Sequence, residues 1–567
     1  MSNARLAEAL SELADYMALD GGDPHRITHY RGTSTAIRRF EHSIADMVKG
    51  GIDLTRVPGI GKGLAGFLEE LIRSGRSERL AAFRERIPSG LPAVMHLEGV
   101  GATRARTLWR EAGIESLEEL EEALEGRSIL SLEGFGPGVV SRIRRGLSAL
   151  KKLDGRFLLL DGDRAVEELA SFLDGEGVAW ARAGEVHRRI ETISVVDVVV
   201  GVEPESLWGM VEGSSFRPPA PKGSNPLALD SKAGPTVRLT AVHPSQVEAV
   251  AHHLTGPPEF LEALGDEAGR QGLSLTPLGL VHGDLQITSV PGLYETLGLP
   301  LVPPELRVDG SSLARASRSG IPRLVEASDI RGDLHVHTTW SDGAATLERV
   351  VEEAAARGYE YVAITDHSPS TGVVTGLDGD DLAEQRDEIA RVQELFPETR
   401  VLTGIEVDIL PDGSLDLEDD VLLSLDLVVA SVHSAFEQDE ATMTRRIIRA
   451  MENPAVQILG HLTGRKLGRR LGYSVDLAAV LEAAAETDVA IEVNGSPRRL
   501  DLDWRGLWQC RERGVNVVVT SDAHSIARLD NVRYAVDQAR RGWLETRHVA
   551  NTKGLSDMLS WIRRRRD

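Results

Sequence analysis

The run "DLHVHTTWSDG", Asp333 to Gly343, places His335 and His337 two residues apart in an apolar stretch that reads as a strand, with Asp342 in the loop beyond. Side chains alternate faces along a strand, so both imidazoles point the same way. Six further apolar runs follow, separated by helical periodicity: "YEYVAITDH", "RVLTGIEVDI", "LDLVVASVHS", "AVQILGHL", "DVAIEVNG" and "VNVVVTSDAH". Strands alternating with helices in this rhythm imply parallel pairing, and so many of them imply a barrel or a large open sheet. Nearly every run ends in a residue able to bind a metal: His367, Glu406, His433, His461, and Asp522 with His524. Six of the seven histidines after residue 329 fall at these ends, His548 being the exception. In a parallel barrel such ends converge on one face, where active sites form.

An isolated buried histidine is ordinarily a hydrogen-bonded core residue. Nine imidazoles and carboxylates at one rim are too costly to bury without a counter-ion, so a metal centre is expected. Nine ligands exceed the four of a closed structural zinc site, which implies two or three divalent metals, with Glu406 able to bridge a pair. His/carboxylate sites accept Zn or Mn, and Fe as well. The set "HVH…D…TDH…GIE…SVH…GH…SDAH" resembles the PHP (polymerase and histidinol phosphatase) phosphoesterases from about Asp329 to Asp567. The resemblance implies a distorted (β/α)7 barrel and a trinuclear site that hydrolyses phosphate esters. It assigns His335, His337, Glu406 and Asp522 to one metal, Glu406, His433 and His461 to a second, and Asp342, His367 and His524 to a third. Arg465, Arg498 and Arg499, in "GHLTGRKLGRR" and "NGSPRRLDL", are candidates for holding substrate phosphate.

Residues 1–150 read as helices joined by Gly-centred turns. Three segments share an apolar-x-Gly-apolar-Gly pattern opening onto a helix: "VPGIGKGLAGFLEEL", "LEGVGATRARTLW" and "LEGFGPGVVSRIRRGL". Gly59 with Gly61 and Lys62, Gly99 with Gly101, and Gly134 with Gly136 permit tight turns that aim backbone N–H groups at an anion. These segments resemble helix-hairpin-helix motifs, which grip DNA backbones without reading sequence. With "HRITHYR" upstream, the region also resembles the lyase-like and fingers segments of bacterial family X DNA polymerases. Relatives that cleave sugar-phosphates carry a Schiff-base lysine where this chain has Phe67, so lyase chemistry is not expected.

Between the two lies a mixed α/β stretch, about 155–325. "ARAGEVHRRIETISVVDVVVGV" resembles the family X palm, in which an Asp-x-Asp pair and a third carboxylate hold two metals for nucleotidyl transfer. Asp197 matches the second position, but Val195 stands at the first and Arg238 at the third. The Gly-Ser that grips triphosphate reads Gly184-Glu185, and the nucleotide-side motif survives only as "HHLTGPP", His252 to Pro258. A nucleotidyltransferase-like palm and thumb that has lost its metals is expected, with Asp197 vestigial. The Pro/Gly/Ser-rich run from Ser214 to Pro235 is expected to be a long loop or a shortened piece of fold.

Composition sets the remaining bounds. With 567 residues the chain exceeds one hydrophobic core, and 41% apolar with 27% charged residues is a globular balance. Cys510, the single cysteine, cannot form an intrachain disulfide and reads as a packed helix face. No signal peptide or membrane-length apolar run is visible, so a cytoplasmic protein is expected, nucleoid-associated when on DNA. The net charge of −23 is uneven: residues 1–150 hold 20 Lys+Arg against 21 Asp+Glu, which leaves −22 for the rest. The terminal arginines, Arg563 to Arg566, read as a solvated tail or a weak DNA contact.

Together these features point to a metal-dependent DNA phosphoesterase in repair, acting as a 3′–5′ exonuclease, 3′-end processor or abasic-site endonuclease. Its DNA would be gapped or end-bearing. The alternatives are an active family X polymerase with an attached nuclease, a small-molecule phosphatase of the histidinol-phosphatase type, and a non-enzymatic DNA scaffold.

Overall fold

The computed structural model describes residues 1–567 except 2, 41–42, 58, 127, 213–215, 217–222, 284, 372–375 and 567. Its contacts divide the chain into two compact units: Met1–Lys152 with Gly468–Leu471, and Leu153–Leu467 with Gly472–Asp567.

The first unit is helical. Amphipathic helices Asn3–Leu19, Lys62–Ser74, Gly101–Ala112, Leu117–Glu125 and Pro137–Lys152 bury Leu6, Leu10, Leu68, Leu108, Leu120 and Ile143 in one core. Local chemistry sets their ends. Asp23, Ser77 and Ser116 accept hydrogen bonds from the first free N–H groups of their helices, and Gly75 and Gly113 close two others in the left-handed conformation.

In the second unit, the middle region carries a four-stranded sheet. Its spatial order is Trp180–Ala183, Val196–Gly201, Thr236–Val242 and Leu227–Asp230, with the two central strands parallel. Within the run from Ser214 to Pro235, expected as a long loop or a shortened piece of fold, the structure forms one short strand. Alternating burial of Leu227 and Leu229 makes an edge strand of Leu227–Asp230, while 214–215 and 217–222 lie outside the described residues. A three-stranded antiparallel sheet and helices around Phe260, Leu264 and Tyr294 complete this region.

After Asp329 comes a seven-stranded, all-parallel sheet whose strands lie in chain order: Gly332–Val336, Tyr361–Ile364, Arg400–Asp408, Leu427–Ser431, Ile458–Leu459, Ala490–Asn494 and Val517–Thr520. All seven coincide with the apolar runs of the sequence. The His337 N–H donates to the Ala523 carbonyl at 2.9 Å, drawing the first strand against the end of the last, so the barrel is nearly closed. Of the terminal arginines, Arg563 and Arg564 are exposed, Arg564 pairing with Asp488, whereas Arg565 donates to the Met451 and Asn453 carbonyls and Arg566 to those of Leu423 and Leu425. Two helices and a loop end there with carbonyls lacking helical partners, and guanidinium groups satisfy them.

Candidate metal centre

Glu406 occupies the third barrel strand and is 1% exposed. Its Oε2 lies 3.3 Å from His335 Nε2, 3.5 Å from His337 Nε2 and 3.0 Å from His367 Nδ1. Its Oε1 lies 3.3 Å from His433 Nε2 and 3.0 Å from His461 Nε2. Beside it, Asp522 Oδ1 stands 3.4 Å from His337 Nε2, and Asp342 Oδ2 stands 3.2 Å from His524 Nε2. All nine side chains marked in the sequence thus meet at one end of the barrel.

Many of these atoms have no hydrogen-bond partner. Among them are His335 Nε2, both ring nitrogens of His337, His367 Nδ1, Asp342 Oδ1 and Glu406 Oε1, all buried. Orphaned buried donors and acceptors are costly, and several facing one another need a common partner. Ligands about 2.1 Å from a tetrahedral metal stand roughly 3.4 Å apart, which matches these separations. Three groups could each hold an ion: His335, His337 and Asp522; His367, Glu406 and His433; and His337, Asp342, His367 and His524.

These groups differ from the expected division. His367 joins Glu406 and His433, and His337 joins the Asp342 group, because each ring stands between two groups. His337 turns Nδ1 towards Asp342 and Nε2 towards Glu406, while His367 does the reverse. His461 approaches Glu406 from the other side.

Charge in the cluster is strongly coupled. Burial would raise the Glu406 carboxyl, but His335, His433 and His367 hold it well below the usual range. Burial lowers His433, yet Glu406 and Asp408 push it up to about 9. His335 is likewise held well above its ordinary value by Glu492 and Glu406 against the opposing effect of burial. Burial and the nearby Arg499 bring His461 down to about 4.

A ring of orienting groups went unmarked in the sequence reading. Glu492, fully buried, holds His335 Nδ1 at 2.6 Å and accepts from Thr520 Oγ1 and the His461 N–H. Asp408 hydrogen-bonds His433 Nδ1, and Asn494 donates to Asp522 at 3.0 Å. Asp366 accepts from Thr338, Ser341 and Gln385, which fixes the loop carrying Asp342. Such contacts set imidazole orientation and ligand basicity. The period-two signal that located His335 and His337 also relates Asp408 to Glu406 and Asn494 to Glu492. His461 and Asp522 sit at φ of 21° and 50°, strain that the surrounding hydrogen bonds sustain.

The three candidate phosphate arginines separate. Arg465 leaves the set: its guanidinium is committed to Glu191 Oε1 at 2.7 Å and to the Arg499 and Leu500 carbonyls. Arg498 is exposed. Arg499 lies at the centre, with Nε 3.3 Å from Asp522 Oδ2 and a buried Nη1 that makes no hydrogen bond.

In the helical unit the three Gly-rich turns share the conformation of their first glycine and one hydrogen bond, while their second glycines differ, φ being −80° at Gly61 and 64° at Gly101. Gly59, Gly99 and Gly134 have φ of 83°, 86° and 83°, and the N–H groups of Ile60, Val100 and Phe135 donate back three residues to Val57, Leu97 and Leu132. Each turn places its second glycine at the start of a helix: Gly61 before Lys62, Gly101 itself, and Gly136 before Pro137. Phe67 packs into the core at 4% exposure.

In the middle sheet Arg238 donates to both carboxylate oxygens of Asp197, at 2.7 and 2.9 Å, from the neighbouring position on the adjacent strand. Gly184 is packed so tightly that a Cβ would lie 2.4 Å from Asp197 Oδ2. Glu185 is tied to the Ser194 N–H and hydroxyl and to Arg156, and His252 is buried against the Tyr294 hydroxyl.

Known proteins fit this architecture. A helix-hairpin-helix domain family matches residues 1–77 and the PHP domain family matches residues 333–496. A Bacillus subtilis protein named DNA polymerase/3'-5' exonuclease PolX is 33% identical over 574 residues, covering the whole of both chains. The chain belongs to the PolX family. The PHP match within this PolX chain contains seven of the nine clustered residues, and Asp522 and His524 lie beyond it. The first of its Gly-rich turns falls inside the helix-hairpin-helix match, and the other two beyond it. The barrel region alone also matches proteins named probable phosphatases. One from Caldanaerobacter subterraneus is 33% identical over 205 residues, 34% of this chain and 75% of its own length. Another, from Thermoanaerobacter sp., is 32% identical over 206 residues, 34% of this chain and 78% of its own length.

Proposed function

We propose that this chain is a metal-dependent DNA phosphoesterase that removes or trims 3′ ends, or cleaves at abasic sites, during repair, and that its polymerase activity has been lost. The observation that carries this reading is the contrast between its two candidate centres. At the barrel rim, buried ligand atoms face one another without hydrogen-bond partners. In the palm-like sheet the remaining carboxylate is saturated by an arginine.

His335, His337, Asp342, His367, Glu406, His433, His461, Asp522 and His524 would hold two or three divalent ions, Zn or Mn, with Fe compatible. Such ions supply Lewis acidity at phosphorus and bring the pKa of water into the neutral range. The chain's own part is to orient and exclude. Glu492 and Asp408 fix the His335 and His433 rings, and Arg499 presents a guanidinium edge suited to a phosphate oxygen. The three Gly-rich turns, with Lys62, would grip the backbone of gapped or end-bearing DNA and keep the protein with the nucleoid. Residues 1–150, 155–325 and 329–567 serve as DNA handle, degenerate palm and thumb, and phosphoesterase. A packed phenylalanine at the Schiff-base position supplies no amine for lyase chemistry.

The second reading, an active polymerase with an attached nuclease, draws on the likeness to the Bacillus subtilis polymerase and exonuclease. One experiment separates them. Purified protein is incubated with Mn²⁺ and end-labelled gapped DNA, with and without dNTPs. Shortening from the 3′ end is expected in both, and it should vanish with the bound metal in Glu406→Ala. Templated extension, or full activity of Glu406→Ala, would overturn the proposal.

A further inference from the structure

Arg465, freed from any role in holding phosphate, stands where the middle region meets the barrel. Its guanidinium donates to Glu191 Oε1 at 2.7 Å, and Glu191 lies in the loop that leads into the palm-like sheet. The same guanidinium donates to the Arg499 carbonyl at 2.9 Å and to the Leu500 carbonyl. Five donors in a rigid fork suit it to hold one carboxylate and two carbonyls at once. The segment so held carries Arg499, whose side chain turns back to Asp522. Leu500 is in the left-handed region at φ 43°, so this segment is kept in a backbone conformation that its own sequence does not favour.

We infer that Glu191 and Arg465 are positioning residues, through which the palm-like region holds Arg499 at the phosphoesterase centre. The inference rests on the phosphoesterase reading and extends it: a palm whose carboxylate is occupied by arginine retains a task, as the outer brace of the neighbouring site. The Arg465 guanidinium bonds Glu191 and the Arg499 and Leu500 carbonyls, none of them among the nine clustered side chains. The inference assigns their influence to Arg499, whose carbonyl Arg465 holds, and unchanged metal content separates this route from one through His461 on the Arg465 loop.

A double-mutant cycle with inorganic phosphate as the probe decides it. Phosphate affinity of the Mn²⁺-loaded full-length chain is measured by calorimetry for wild type, Glu191→Gln, Arg499→Lys and the double variant. Metal content and thermal midpoint are followed alongside, and Glu191→Ala provides a second variant. Glu191→Gln should weaken phosphate binding about five- to tenfold at unchanged metal content, and in the Arg499→Lys background the same substitution should add less than about twofold. Additive losses, or no loss in either Glu191 variant, would overturn the brace while leaving the phosphoesterase reading intact. Absence of phosphate binding by the loaded wild type would overturn both.

Discussion

His433 and His335 carry the pH dependence of the centre. With His433 pushed to about 9 and His335 held well above its ordinary value, both rings hold a proton more tightly than a free imidazole before any cation arrives. A metal needs the unprotonated nitrogen, so it competes with those protons. Raised values mean that competition persists until pH passes the folded value, and affinity should climb from about pH 6 to about pH 9, roughly tenfold per unit for each proton displaced. Zinc titrations at several pH values, in buffers of different ionisation enthalpy, would show this as proton release; a flat profile would contradict it. The same residues explain what the sequence made legible. Ligation draws on few residue types, and strands repeat every two residues, so His335, His337, Glu406 and Asp522 stood out. Glu492 and Asp408 did not, because an acidic residue within an apolar strand acquires meaning only once its partner ring is placed beside it. Arg465 misled for the opposite reason: an arginine near a histidine looks like a phosphate ligand until Glu191, distant in sequence, arrives at its side.

Strands and helices were read more easily than the purpose of the sheets they form. Seven apolar runs marked the seven strands because they are largely buried on both faces and bounded by helical periodicity, while closure into a barrel was implied only by the resemblance. The edge strand Leu227–Asp230 was hidden because neighbouring prolines and glycines dominate its local signal while its burial pattern is set by the adjacent strand. The parallel pairing of the two central strands of the middle sheet sets Arg238 beside Asp197, a contact hidden in the sequence by a separation of 41 positions. Asp197 is 5% exposed, so Arg238→Ala would leave a nearly buried charge alone, and should cost about 1–3 kcal/mol. Adding Asp197→Asn should recover part of that loss, because the unpaired charge is then gone. Denaturant midpoints of the two single variants and the double measure it. A double variant less stable than Arg238→Ala would mean that Asp197 is stabilised by something other than its arginine.

At the scale of the whole molecule the uneven charge makes a demand. A chain of net −23 has to approach a polyanion, and residues 1–150 are nearly neutral while the remainder carries −22. Sequence showed this asymmetry and the three repeated turns; it could not show that Gly59, Gly99 and Gly134 all adopt positive φ. If those turns carry the phosphate contacts, each neutralised phosphate releases a counter-ion, and DNA binding falls steeply with salt. A small phosphodiester releases almost none. Raising salt from about 50 to about 200 mM should therefore cut 3′-end trimming by roughly a hundredfold or more while changing hydrolysis of a small chromogenic diester only slightly. Removing residues 1–152 should act in the same direction. That segment packs around its own core, so the barrel's hydrolysis of the small diester should largely survive its loss while trimming of DNA collapses. Equal losses on both substrates would place the helical unit in the service of the barrel's folding, and the acidic barrel would then have to hold DNA by some other means.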